Sequence, residues 1–313
     1  DLIDEGHLTI NQAFKECKRQ LSFVKIKDEV VDVFPETISD KYTIYNKSSV
    51  DMSELADGCV DMVMTSPPYW NQHNYGNPNQ LGLEESISQY ISNLMDVFNE
   101  SKRVLKDSGC LYVVIGDKYV NGCLASIPHI FALEMMNQGW IQRNCIIWRK
   151  TNPKPESVKN RLQSSYEFIF FFTKSDKYYF DDDAIRQPYK YSQFQEIRTP
   201  HHHSLTGNSQ SQEPQFQNPI GKIPSDVIDT SIHSYGVGKK LGLDIEHGAV
   251  YPPEICINPI KSSSPLGGVV LDPFSGSGTT GEVAISLGRK YIGYEINSKF
   301  VDLSHIRLSN IIL

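Results

Sequence analysis

Two short stretches hold residue types that can do chemistry together. The first is Thr65-Ser66-Pro67-Pro68-Tyr69-Trp70. Consecutive prolines fix φ near about −65° and keep the residue before each of them extended. The Ser66 hydroxyl and the neighbouring carbonyls therefore stand in a stiff, open bend, with flat aromatic surface beside them from Tyr69 and Trp70. Such an edge next to a stacking face suits a planar, amine-bearing ligand, for example a nucleobase turned out of its duplex. A proline-rich turn covered by aromatics is the plainer alternative. The second stretch is Asp272-Pro273-Phe274-Ser275-Gly276-Ser277-Gly278-Thr279-Thr280. Glycines at a strand-to-helix turn let a ligand approach the backbone closely. Glu295, at the end of the next apolar run, can accept hydrogen bonds from both hydroxyls of a ribose. This unit favours an adenosine-containing ligand; by itself it also fits a nicotinamide dinucleotide.

Elements must position these stretches. The run Val60 to Met64 reads as a buried strand ending at Thr65, and Val269-Val270-Leu271 as the strand leading into the glycines. A helix follows through Glu282 to Leu287 and stops at Gly288; Lys290 to Glu295 is the next strand. Tyr42 to Tyr45 is a short strand before the polar turn Asn46-Lys47-Ser48-Ser49. Residues 86–105 repeat apolar positions at helical spacing (Ile87, Ile91, Leu94, Met95, Phe98) and end before Asp107-Ser108-Gly109. Leu111 to Ile115, Asn144 to Trp148 and Tyr166 to Thr173 read as strands, with a helix over about 126–137. This alternation predicts an α/β fold, doubly wound around a parallel sheet.

The chain has 313 residues and a net charge of −7, so nucleic acid would have to meet a local basic face. Arg149, Lys150, Lys154, Lys159 and Arg161, set against Glu156 alone, form the candidate: either a solvated loop or one that grips phosphates. The six cysteines are scattered without a C-x-x-C pair, no run approaches the roughly 18 apolar residues of a membrane span, and the N-terminus lacks a signal-peptide pattern. A reduced, cytoplasmic protein is expected. Residues 1–41 form a charged extension in which Ile10 to Leu21 has the spacing of an amphipathic helix. Residues 187–246 are rich in Gln, Ser, Asn, His, Pro and Gly and read as an inserted module with little core of its own. His201-His202-His203 has no partner at ligand spacing, so a solvated loop is expected there and no metal.

TSPPYW followed by LDPFSGSGTT resembles the bacterial amino-DNA methyltransferases of the β arrangement. The resemblance extends through Gln80 to Glu84, Gly116-Asp117, Ile147 to Lys150 with Asn152-Pro153, and His247 to Pro252, covering about residues 42–186 and 247–313. It implies a Rossmann-like, seven-stranded methyltransferase sheet, circularly permuted, with residues 42–186 as the catalytic part, 187–246 as a target-recognition insert and 247–313 as the cofactor part. It implies S-adenosylmethionine as cofactor, held by Asp272, Phe274, Ser275, Gly276, Gly278 and Thr279, with Glu295 on the ribose. Ser66, Pro67, Pro68 and Tyr69 become catalytic residues. Trp70, Arg149, Lys150, Lys154, Lys159 and Arg161 become contacts to double-stranded DNA. One departure stands out. The family often has Gly-Asp after its first strand, the acid contacting the adenine amine; here Asn46-Lys47 takes its place, and Ser48 is the candidate substitute. Ser-Pro-Pro tends to accompany cytosine N4 in the family and Asp- or Asn-Pro-Pro adenine N6, so N4-cytosine is expected. Adenine N6, an RNA or protein amide, and a DNA-binding module without catalysis are the rivals. The resemblance further implies a bacterial, nucleoid-associated monomer or homodimer working with a cognate restriction endonuclease.

Overall fold

The computed structural model describes residues 40–189, 218–232 and 250–311. The expected N-terminal helix, the His201-His202-His203 run and residues 199–217 of the insert lie outside them. In chain order the strands are β1 (Tyr42–Tyr45), β2 (Val60–Thr65), β3 (Leu105–Ile115), β4 (Tyr119–Val120), β5 (Cys123–Leu124), β6 (Ile141–Lys150), β7 (Tyr166–Thr173), β8 (Val227–Thr230), β9 (Val269–Asp272) and β10 (Lys290–Tyr294). The α-helices are α1 (Ile87–Val104), α2 (Ile127–Asn137), α3 (Glu254–Ser263), α4 (Thr279–Ser286) and α5 (Ser298–Ser309). β4 and β5 pair by themselves; the other strands form one sheet in the order β1-β10-β9-β2-β3-β7-β6-β8.

Two expectations change here. The sheet is mixed, because β7 runs antiparallel to both β3 and β6. It also has eight strands among the described residues: β8, from within the polar insert, adds itself parallel to β6 at the edge. A four-residue strand needs only a ladder and a few side-chain ties, which the insert's composition does not forbid.

Alternation across the sheet explains why it is wound on both faces. In β3, Leu111, Val113 and Ile115 enter the core on one side, while Cys110, Tyr112 and Val114 enter the core on the other. Strands buried on both faces read as continuous apolar runs, and helices must cover each face. Helix α1 does so with Tyr90, Ile91, Leu94, Met95 and Phe98 at i, i+1, i+4, i+5, i+8, and Ser86 caps it by accepting from the Gln89 amide.

The topology sets the place of the chemistry. β9 and β2 are parallel neighbours, with Met62 beside Val270 and Val63 beside Leu271. The order of strands reverses at this seam, and open α/β sheets bind ligands beyond the strand ends at such a point. Both chemical stretches leave the sheet there, side by side.

Candidate active site

Asp272 ties the two strand ends together. Its carboxylate is 1% exposed and accepts from the Thr65 hydroxyl at 2.5 Å, the Phe274 amide at 3.0 Å and the Thr280 hydroxyl at 2.7 Å. The Tyr251 hydroxyl lies 3.3 Å away and also bonds Thr280. Burial pushes the Asp272 carboxyl above its ordinary value, and these donors pull it back. Asp272 thus bridges β2 and β9 and shapes the loop between β9 and α4. Neither Asp272 nor Gly278 is among the residues that line the cavity below. Gly278 caps α4 at φ +76°, with Ser304 packed where a Cβ would lie.

Beyond the seam lies one cavity of about 490 Å³. On one wall are Phe274, Ser275, Gly276 and Thr279 of the glycine loop, together with Glu295; on the other are Ser66, Pro67, Pro68 and Tyr69. Ser48 lines it too, joined by Lys47 and Ser49. The Lys47 ammonium is held by Asp51 and Glu54, each at 3.0 Å. Glu295 accepts from the Gly276 amide at 2.9 Å and from the Asn297 amide at 2.8 Å, one on each carboxylate oxygen. A carboxylate offers about four acceptor sites, so capacity remains for hydroxyl donors from the cavity. Burial raises the Glu295 carboxyl to about 7.

The proline bend is braced from behind. The Tyr90 hydroxyl donates to the Pro68 carbonyl at 2.9 Å, and the Asn71 amide donates to the Gly82 carbonyl at 2.6 Å. A Cβ on Gly82 would sit 3.0 Å from the Tyr69 carbonyl oxygen, at a φ of +94°, which accounts for glycine there. The Tyr69 ring packs edge-on to Gly116, where a Cβ would come within 2.7 Å of it. Its hydroxyl donates to Glu167 at 2.5 Å.

The residues expected on DNA separate into four groups. Lys150 belongs to the cavity wall, in a largely buried ion pair with Glu167 and over the Trp148 ring at 5.1 Å. Arg149 and Arg161 already have partners: Asp229 takes Arg149 bidentately at 2.7 and 2.5 Å, and Arg161 stacks on Tyr119 at 3.8 Å and meets Glu156 at 2.9 Å. Lys154 and Lys159 are exposed. Trp70 does not line the cavity: it packs against the core, donates to the Glu84 carbonyl at 2.9 Å and carries Lys118 over its ring.

Glu167 is the site residue that sequence reasoning missed. Its signal was present, a lone acid inside the apolar strand Tyr166-Glu167-Phe168-Ile169-Phe170. Burying a charge requires a partner, and Lys150 is that partner. Tyr251 was seen only within a motif, and its tie to Asp272 is visible only in three dimensions.

Comparison with known proteins gives this geometry a family. The DNA methylase family of N6/N4 methyltransferases matches residues 60–305. The type II methyltransferase M.Cfr9I of Citrobacter freundii is 33% identical over 286 residues, covering 82% of this chain and 84% of that protein. Two solved structures share the fold. The PvuII DNA methyltransferase, described as cytosine-N4-specific, superposes with a TM-score of 0.65 at 21% identity, over 87% of this chain and 88% of that one. The TTHA0409 protein of Thermus thermophilus, a DNA modification methylase by description and complexed with S-adenosyl-L-methionine, does so with a TM-score of 0.56 at 22% identity, over 87% and 97%. On the extent of the family match and the identity to M.Cfr9I, the chain belongs to the DNA methylase family of N6/N4 methyltransferases.

Proposed function

We propose that this chain transfers a methyl group from S-adenosylmethionine to the exocyclic N4 of cytosine, in a base turned out of double-stranded DNA. It acts as the modification partner of a type II restriction endonuclease; its M.Cfr9I relative is named a type II methyltransferase. The observation that carries the reading is the single cavity shared by the glycine loop with Glu295 and the bend Ser66-Pro67-Pro68-Tyr69.

The cofactor wall fits its ligand. The Glu295 carboxylate is matched to a pair of ribose hydroxyls, Phe274 and Ile296 supply apolar surface, and Gly276, at φ +52°, leaves the backbone open. When bound, S-adenosylmethionine supplies an electrophilic methyl on a sulfonium. The chain's own task is then to prepare the amine. An exocyclic amine is a poor nucleophile because its lone pair is delocalised into the ring. The Ser66 hydroxyl oxygen and the Pro67 carbonyl accept its two hydrogens, draw it toward tetrahedral geometry and stabilise the charge that develops on it. Holding amine and methyl in line supplies much of the remaining acceleration. The Tyr69 ring takes the base face, worth roughly 1–3 kcal/mol by base–aromatic stacking.

Adenine N6 is the second reading, since the family spans both amines and the two bases present the same pairing of amine and ring acceptor. The neutral Ser66 in place of a carboxylate or amide favours cytosine. Sequencing host DNA after expression, with detection of modified bases, tests the activity and finds its site. Ser66→Ala should lower turnover about 10²-fold, the scale of losing one preorganised hydrogen bond, while S-adenosylmethionine affinity changes less than twofold. Loss of cofactor binding in that variant would move Ser66 out of the amine's first contacts.

A further inference from the structure

A chain of polar groups runs from the bend into the wall of the cavity. The Tyr69 hydroxyl donates to one oxygen of Glu167 at 2.5 Å, and the Lys150 ammonium binds the other oxygen. Ser66 and Tyr69 both line the cavity, three residues apart on the same rigid bend. Glu167 and Lys150 also border a second, adjoining cavity of about 200 Å³ whose rim carries the exposed Lys154 and Glu156. One end of the chain is therefore at the reacting amine and the other opens toward solvent. Ion pairs buried in a wall are costly to build.

We propose that Ser66, Tyr69 and Glu167 form a proton relay that takes the proton released by the amine as it is methylated. The inference rests on the methyl-transfer reading and extends it. As the amine's lone pair bonds to the methyl carbon, the bond pair between sulfur and carbon stays on sulfur, leaving a neutral thioether. The amine nitrogen, now with one hydrogen too many, gives a proton to the Ser66 oxygen. The Ser66 proton passes to the Tyr69 oxygen, and the Tyr69 proton to Glu167. Glu167 ends neutral and later releases the proton to solvent through the second cavity. Tyr69 is suited to passing a proton without holding a negative charge, because burial and the nearby Glu167 push its phenol well above the ordinary value. Lys150 holds the other Glu167 oxygen and so fixes the carboxylate beside Tyr69. Glu167 lines the cavity beside Tyr69 and works through the Tyr69 hydroxyl as a relay residue.

The test is single-turnover methylation of duplex DNA between pH 6 and 9, with DNA and S-adenosylmethionine affinities measured separately. Tyr69→Phe keeps the ring and removes only the relay hydroxyl; Glu167→Gln keeps the shape of the acceptor. The groups facing Glu167 are Lys150, Tyr69, Asp117, Lys154 and Glu156, and all remain in Glu167→Gln. Both variants should lose at least tenfold in rate near pH 7, recover part of it as pH rises and solvent base takes over, and keep both affinities within twofold. The double variant should be no slower than either single one, and formate should speed Glu167→Ala but not Tyr69→Phe. A Tyr69→Phe protein that reacts at the wild-type rate, or a Glu167→Gln loss confined to DNA affinity, would overturn the relay. A wild-type protein that methylates no DNA would instead overturn the functional reading beneath it.

Discussion

Glu295 shows how one residue holds the fold together and still faces the proposed cofactor cavity. It anchors the Gly276 amide of the glycine loop and the Asn297 amide that opens α5, and it still faces the cavity. With its carboxyl raised from 4.5 to about 7, chiefly by burial, the sign of its pH dependence follows from linkage. Below about pH 4.5 the folded and unfolded chains both carry the proton. From there to about pH 7 the unfolded chain ionises while the folded site resists, so the unliganded protein loses stability as pH rises. Ribose hydroxyls donating to the carboxylate favour the ionised form. S-adenosylmethionine affinity should therefore rise by up to about tenfold per pH unit below 7 and level off above about 8. Calorimetry in buffers of different ionisation heats should show a proton released on binding near pH 6, and Glu295→Gln should abolish both effects. Affinity independent of pH between 5.5 and 8 would contradict the assignment. Ser66, Tyr69 and Glu295 were legible in the sequence because the chemistry of each sits next to a turn that the chain spells out locally. Glu167 and Tyr251 were not, because their partners lie 98 and 21 residues away in sequence. Lys150 was legible only as a charge; its ion pair with Glu167 and its place on the cavity wall were not.

The decisive element is the seam between β2 and β9. Two parallel strands end together, and Asp272 joins them by accepting from Thr65 on one side and Thr280 on the other. Asp272→Asn would turn an amide N–H toward hydroxyls that already donate. One buried pairing would be lost, at about 1–3 kcal/mol, with a melting temperature lower by about 2–8 °C and weaker S-adenosylmethionine binding. Unchanged melting and unchanged binding would remove Asp272 from this bridging role. The strands of this sheet other than β8 were readable chiefly because a strand buried on both faces is a continuous apolar run. Helices α3 and α5 were not. Each puts polar residues on its buried face: Ser262 and Ser263 in α3, with Pro259 inside the helix, and Ser304 and His305 in α5. The Ser304 hydroxyl donates to the Gly276 carbonyl, so the residue that breaks the apolar period is one that supports the glycine loop. β8 escaped notice for a similar reason. Its hold on β6 comes from Arg149 on Asp229, the Trp148 indole on the Thr230 hydroxyl at 2.7 Å, and Asn152 on the backbone of Ile232, contacts that composition cannot express.

At the scale of the whole molecule, a chain of net charge −7 has to approach a polyanion through a local surface. With Lys150, Arg149 and Arg161 engaged within the protein, Lys154 and Lys159 are the exposed cations of the loop after β6, and Lys154 stands at the rim of the second cavity. Lys154→Ala and Lys159→Ala should each weaken binding to all DNA sequences alike and reduce the slope of log affinity against log salt by about 1. An unchanged slope in both would return the loop to solvent. The same surface would carry duplex DNA to a cavity in which the methyl donor and the base meet across one seam of the sheet. The measurement that tests this account most directly is the mass of the nucleosides in DNA methylated by the purified protein with S-adenosylmethionine. The account predicts N4-methylcytosine in wild-type digests and its near-absence with Ser66→Ala; N6-methyladenine without N4-methylcytosine would contradict it.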